Sequence, residues 1–213
     1  SGRRGQRKAI SFEERYYASL VRGLVITSDH LGSAARVPPP IPEYRKFSIF
    51  RGEKKKPRPF QKKLGRTEGS AILRAPTGSG KTEAAILWAQ KNQNPNGRLF
   101  YVLPYTASIN AMYKRLRKTF GENVGLLHHR ATASLYQMLA DNEDRLSHLD
   151  RQDIAKTISE LSSEIYFPIR ICTPHQILRH TLRGRGWEAM LAEFPGACFI
   201  FDEIHAYDPR VVG

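Results

Sequence analysis

The chain has 213 residues, 40% of them hydrophobic, which is enough to bury the core of one domain and carry an appendage. Its 34 Lys and Arg against 20 Asp and Glu leave a formal charge of +14, a field that favours a polyanionic partner, with nucleic acid first. No apolar run approaches the ~20 residues that cross a bilayer, and the polar start Ser1 to Lys8 leads into no apolar core, so no membrane partner is expected and a cytoplasmic location is the default.

From Phe12 to Ala35 the spacing of Tyr17, Leu20, Val21, Leu24 and Val25 predicts a helix with one apolar face, closing near Gly32-Ser33. Val37-Pro-Pro-Pro-Ile-Pro42 then breaks the pattern, because proline lacks the N–H that a helix interior or central strand needs. This divides the chain into a helical segment over 1–35, a Pro-rich basic linker over 36–59 and a main domain over 60–213. Between Glu43 and Arg66 lie ten basic residues (Arg45, Lys46, Arg51, Lys54, Lys55, Lys56, Arg58, Lys62, Lys63, Arg66) and two acidic ones, Glu43 and Glu53. A solvated linker face and a nucleic-acid contact explain that strip equally well.

After Pro59, short apolar runs alternate with longer amphipathic stretches. Ala71-Ile-Leu-Arg74, Leu99 to Leu103, Val124 to Leu127, Ile169 to Cys172 and Cys198 to Phe201 read as strands. Helices are expected near Lys81 to Lys91, Thr106 to Thr119, Arg151 to Ser163, His175 to Arg183 and Trp187 to Glu193, with an acidic surface segment from Asp141 to Asp153. Such alternation implies right-handed crossovers and an α/β fold with a parallel sheet covered on both faces. Cys172 and Cys198 fall inside strand runs without metal-ligand spacing and read as core thiols. His128 and His129 follow a strand without further ligands nearby and read as loop residues. Of Tyr105, Tyr113 and Phe120, which have the chemistry to stack on bases, at least two are expected in the core.

Two motifs carry chemistry. The first predicted strand ends in Ala75-Pro-Thr-Gly-Ser-Gly-Lys-Thr82 and a helix follows at once, the setting of a phosphate-binding loop. Thr77, Gly78, Ser79 and Gly80 form the turn, whose glycines let backbone N–H groups face a phosphate. Lys81 reaches the β and γ phosphates, and Thr82 offers a hydroxyl to magnesium. The second motif, Cys198-Phe-Ile-Phe-Asp-Glu-Ile-His205, puts two carboxylates at the carboxyl end of a strand, where open parallel sheets bind ligands. Asp202 is placed to hold magnesium, and Glu203 to orient and deprotonate the attacking water. Lys81-Thr82 and Asp202-Glu203 are expected on neighbouring strand ends. His205 either links the nucleotide to the nucleic-acid side or merely starts a helix.

In this order the motifs resemble those of superfamily 2 helicases, over Pro59 to Asp208. The resemblance implies a RecA-like domain that uses ATP and magnesium. Phe60-Gln61 is similar to a glutamine motif that acts on adenine, which would give Gln61 two hydrogen bonds to the base. Leu103-Pro-Tyr-Thr106 and Ile171-Cys-Thr-Pro-His-Gln176 resemble motifs that contact nucleic-acid phosphates, which implies such contacts for Thr106 and Thr173. As helix caps, both threonines need no ligand.

Asp-Glu-Ile-His-Ala-Tyr-Asp208, Leu126-Leu-His-His-Arg-Ala131 and Pro168 to Gln176 look like the helicase part of the CRISPR-associated helicase-nuclease of type I interference. Leu24 to Ser33 resembles the last helix of the HD nuclease domain that precedes the motor in many members, with Asp29 at a metal-ligand position. No His-Asp dipeptide occurs, so the upstream ligands, and with them any transition-metal site, are not expected in this chain. The resemblance implies ATP-driven translocation on single-stranded DNA. It also implies an RNA-guided surveillance complex as partner, and a second RecA-like domain and an HD nuclease domain in the same or another chain. No Ser-Ala-Thr coupling motif follows Glu203, so this segment alone is expected to be an incomplete motor. An RNA helicase, a restriction-type DNA translocase and a non-enzymatic ATP-binding assembly module are the alternatives.

Overall fold

The structure, a computed structural model, describes residues 10–50, 56–142, 146–163, 166–182 and 186–207. Arg51, Glu53, Lys54 and Lys55 of the basic strip, Arg183, Asp208 and the segment 1–9 lie outside them.

Four strands, β1 (Leu99–Val102), β2 (Val124–Leu127), β3 (Ile169–Cys172) and β4 (Cys198–Phe201), form one parallel sheet in the order β2-β3-β1-β4. Apart from Arg170 in β3, each is a short apolar run, as a sheet covered on both faces requires. Side chains alternate between faces. Leu99, Tyr101, Leu126, Ile169, Ile171 and Ile200 pack beneath α3 (Lys81–Asn92), α4 (Thr106–Phe120), α5 (Ala131–Asn142) and α6 (His148–Ser163). Phe100, Val102, Leu127 and Cys172 face α7 (Pro174–Thr181) and α8 (Trp187–Glu193). The result is the α/β RecA-like sheet expected from the alternation. Cys172 and Cys198 are buried free thiols, and burial pushes Cys172 up to about 12. Tyr113 and Phe120 lie in the core while Tyr105 is exposed. Among the described residues no helix is long and apolar enough to cross a membrane.

Three expectations change. The run Ala71 to Arg74 is not a strand: no partner ladder forms along residues 70–76, and Ile72 is 99% exposed. The stretch 36–59 is not free along its length, because Tyr44 is fully buried and its hydroxyl donates to the carbonyls of Gly97 (3.1 Å) and Pro168 (3.3 Å). Arg45 beside it donates to the last carbonyls of α3, those of Gln90 (2.9 Å) and Lys91 (3.2 Å), and so caps the negative end of that helix. A short helix α2 (Pro59–Leu64) then leads into the main domain.

The third change concerns α1 (Phe12–Ser33). Its N-terminus is fixed by a capping box between Ser11 and Glu14. The face that docks is the row Gly23, Thr27 and Leu31, whereas Tyr17, Val21, Leu24 and Val25 are exposed. Glycine decides this. At Gly23 the backbone of α1 meets that of α8 so closely that an added Cβ would stand 2.2 Å from the Glu188 carbonyl oxygen. Gly23→Ala is therefore expected to lift α1 off α8 at a cost of about 1–3 kcal/mol. Hydrogen exchange should report it as lost protection in α1, and unchanged protection would contradict this docking. Asp29 and His30 are exposed on the same helix, and no group of three metal-binding side chains exists among the described residues.

Candidate nucleotide site

The loop from Ala75 to Gly80 enters α3 with Gly78 at φ +74° and Gly80 at φ +93°, conformations that L side chains rarely adopt. Two side chains hold it from outside. Arg58 Nη1 donates to the Ser79 carbonyl and Gln61 Nε2 to the Gly80 carbonyl, each at 2.9 Å. In a planar trans peptide the N–H points opposite to the C=O. Drawing these carbonyls toward α2 thus turns the N–H groups of Gly80 and Lys81 the other way, out of the positive end of α3. The Ser79 hydroxyl is buried without a hydrogen-bond partner. An anion held by these N–H groups and this hydroxyl fits the donor set. Lys81 Nζ rests 3.2 Å from the Ala75 carbonyl.

Gln61 is 3% exposed, and its amide oxygen accepts from the Arg58 N–H at 2.7 Å. With its bonds to the Arg58 N–H and the Gly80 carbonyl, Gln61 braces the loop. The sequence offers a signal for this: Gln61 is the third residue of α2, where a side-chain acceptor reaches back to the helix start.

Asp202 follows β4 directly, and its N–H donates to the Val102 carbonyl at 3.0 Å. Its Oδ1 accepts the Glu203 N–H at 2.9 Å, and its Oδ2 accepts the Tyr101 hydroxyl at 2.7 Å. Glu203 sits at φ 52°, ψ 42°, a left-handed conformation costing a non-glycine residue roughly 1 kcal/mol, and its side chain is exposed. His205 is exposed in the turn that follows. The loop and the carboxylates are not on neighbouring strand ends. Residues 70–76 lie unpaired across a cleft of about 630 Å³ from β4, lined among others by Leu73, Lys81, Tyr101, Phe201 and Asp202. Tyr101 joins the two sides instead, because Thr82 faces the same hydroxyl that binds Asp202. Burial and the Asp202 carboxylate hold that phenol well above its ordinary pKa, so the hydroxyl keeps its proton and donates. Thr82 and Asp202 thereby both face one hydroxyl, and their oxygens are of the hard kind that magnesium takes.

Register brings further loop residues to the same sheet edge. Leu127, Cys172, Val102 and Phe201 stand level, so the residues that follow them leave the sheet on one side. Thr173, buried, immediately precedes α7, and Thr106, half-buried, is the first residue of α4. His128, which follows β2, is buried. Its Nδ1 accepts the Arg130 N–H (3.1 Å), so the ring proton sits on Nε2 and is donated to Asn110 Oδ1 (3.1 Å). Asn110 in turn donates to Ser134 of α5. Burial, then His129 and Arg130, lower the pKa of His128 to about 4, which fixes it as a neutral latch on its loop. His129 and Arg130 are exposed at the same edge.

Sequence comparison agrees with this geometry. Residues 59–211 match the DEAD/DEAH box helicase family. The chain is similar to the CRISPR-associated nuclease/helicase Cas3 of Methanothermobacter thermautotrophicus, at 34% identity over 66% of this chain and 16% of that protein. It is also similar to the CRISPR-associated endonuclease/helicase Cas3 of Escherichia coli, at 27% identity over 68% of this chain and 18% of that protein. A shorter stretch, 27% of this chain and 5% of the relative, is 44% identical to a DExH-box ATP-dependent RNA helicase of Arabidopsis thaliana. The chain thus spans less than a fifth of the length of these relatives. No solved structure matches it significantly. With a phosphate-loop cradle and an Asp-Glu-x-His turn meeting across one hydroxyl, and a family match over more than half its length, the chain belongs to the DEAD/DEAH box helicases.

Proposed function

We propose that this chain is the nucleotide-binding half of an ATP-dependent motor that translocates on single-stranded DNA during CRISPR type I interference. The observation that carries it is the meeting of Thr82 and Asp202 at the Tyr101 hydroxyl, in a cleft that Lys81 also lines. Thr77 to Gly80 would wrap the ATP phosphates with N–H groups, Lys81 would neutralise the β and γ phosphates, and Thr82 and Asp202 would hold magnesium. Bound magnesium supplies charge neutralisation on the phosphate oxygens. Glu203, exposed beside Asp202, is the base that takes the proton of the attacking water. His205, in the turn that follows, would pass the state of this site toward the nucleic acid. DNA would run over Thr106 and Thr173 along the carboxyl edge of the sheet, its phosphates drawn by the excess of Lys and Arg.

The names of the Cas3 relatives support the CRISPR setting. The nuclease in those names supports a nuclease activity alongside the motor; an HD nuclease domain, a second RecA-like domain and an RNA-guided complex as partners are part of this proposal. The Arabidopsis relative supports a second reading, an RNA motor, through its higher identity over a short stretch. Steady-state ATP hydrolysis by the full-length protein, with single-stranded DNA and RNA of equal length, separates the two. Stimulation by DNA well above that by RNA, falling steeply with salt as counterion release requires, is the expected result. Stimulation by RNA alone would replace this reading with the second.

A further inference from the structure

Tyr101 lies fully buried in β1, in an apolar run where phenylalanine would fill the same space without a hydroxyl to satisfy. That hydroxyl is spent on one oxygen of Asp202, while Thr82 faces it from α3. The other Asp202 oxygen is held by the Glu203 N–H, and the Asp202 N–H by Val102. Each carboxylate oxygen keeps a lone pair beyond these bonds. We propose that Tyr101 is a positioning residue that fixes the Asp202 carboxylate on the Thr82 side of the cleft before nucleotide arrives, and so lowers the magnesium concentration at which nucleotide is captured. This rests on the nucleotide reading of the cleft. Without the phenol, Asp202 regains side-chain rotation, so magnesium binding must itself order that ligand.

The test is binding of a fluorescent ADP analogue to the full-length protein across a magnesium titration, for the wild type, Tyr101→Phe and Tyr207→Phe. The Tyr207 hydroxyl donates to the Val102 carbonyl at 2.9 Å and touches no carboxylate. The magnesium midpoint of Tyr101→Phe is expected to rise about tenfold, the loss of one hydrogen bond to a charged group, with affinity restored at saturating magnesium. Tyr207→Phe should keep the wild-type midpoint. An unchanged midpoint in Tyr101→Phe, or an affinity lowered equally at every magnesium concentration, overturns the proposal. Magnesium-independent binding by the wild type would overturn this inference alone, whereas no binding by the wild type at any magnesium concentration would overturn the nucleotide reading and this inference with it. If Tyr101→Phe does not melt cooperatively, 3-fluorotyrosine at position 101 keeps the hydroxyl and the fold. Its fluorine resonance should move with the same magnesium midpoint as nucleotide binding, and a resonance that stays still overturns the role.

Discussion

Glu203→Gln in the full-length protein is expected to bind ATP normally and to lose DNA-stimulated hydrolysis by a factor on the order of 10³, the contribution of a positioned general base. The side chain is exposed and takes part in no packing that the amide would disturb. The left-handed backbone at this position is set by the turn after β4, which the substitution leaves intact, and the Glu203 N–H still holds Asp202. Only the proton acceptor is removed. Lys81→Ala should fail differently, weakening ATP binding as well as turnover, because the lost ammonium interacts with the phosphates in the ground state. Single-turnover hydrolysis with equilibrium ATP binding on the same preparations makes the comparison. Full hydrolysis by Glu203→Gln would move the base to another residue.

What the sequence made legible follows from how local each signal is. The helices α3, α4 and α8 appear within a residue or two of expectation, since each begins beside a motif or a glycine and carries a regular apolar face. Strands β1 to β4 were legible as apolar runs because both faces of the sheet are covered. The run Ala71 to Arg74 looked the same, but a strand exists only through its neighbour, and none pairs with this one among the described residues. In α1 the apolar stripe pointed to the wrong face, because the docked face is defined by the absence of a side chain at Gly23. The phosphate loop and Asp202-Glu203 were readable as strings. Tyr101 was not, since it joins them only after β1 has been laid beside β4, with Tyr101 level with Ile200.

The same blindness to cross-element pairing hid Arg170, whose side chain is 1% exposed in the second strand from the edge and would read in sequence as an interruption of an apolar run. Alternation turns it toward α8, where it forms a short contact with Glu193 and lies over the Phe100 ring at 5.9 Å. Arg98 Nε approaches the same Glu193 oxygen at 3.4 Å. One buried carboxylate therefore serves two guanidinium groups, and burial lowers the pKa of Arg98 while Glu193 opposes it. Glu193→Leu keeps an apolar volume at this site and removes the carboxylate that balances both cations in the layer between α8 and the sheet. The expected loss is about 3–5 kcal/mol, much larger than the lost contact alone would give, because an uncompensated buried charge is what costs. The damage should spread along the chain of contacts: α8 loosens from β3, and α1, which rests on α8 through Gly23 and the Arg22–Glu188 pair, loosens with it. Hydrogen exchange of β3, α8 and α1 in the full-length protein should show this as a shared loss of protection. Removing the more buried cation as well, Arg170→Met with Glu193→Leu, should recover the part of that loss due to Arg170, while Arg98 keeps its hydrogen bond to the Phe167 carbonyl (2.8 Å). Protection in Glu193→Leu equal to the wild type, or a double variant worse than the single one, would show that the ion pair is not what holds α8 to the sheet.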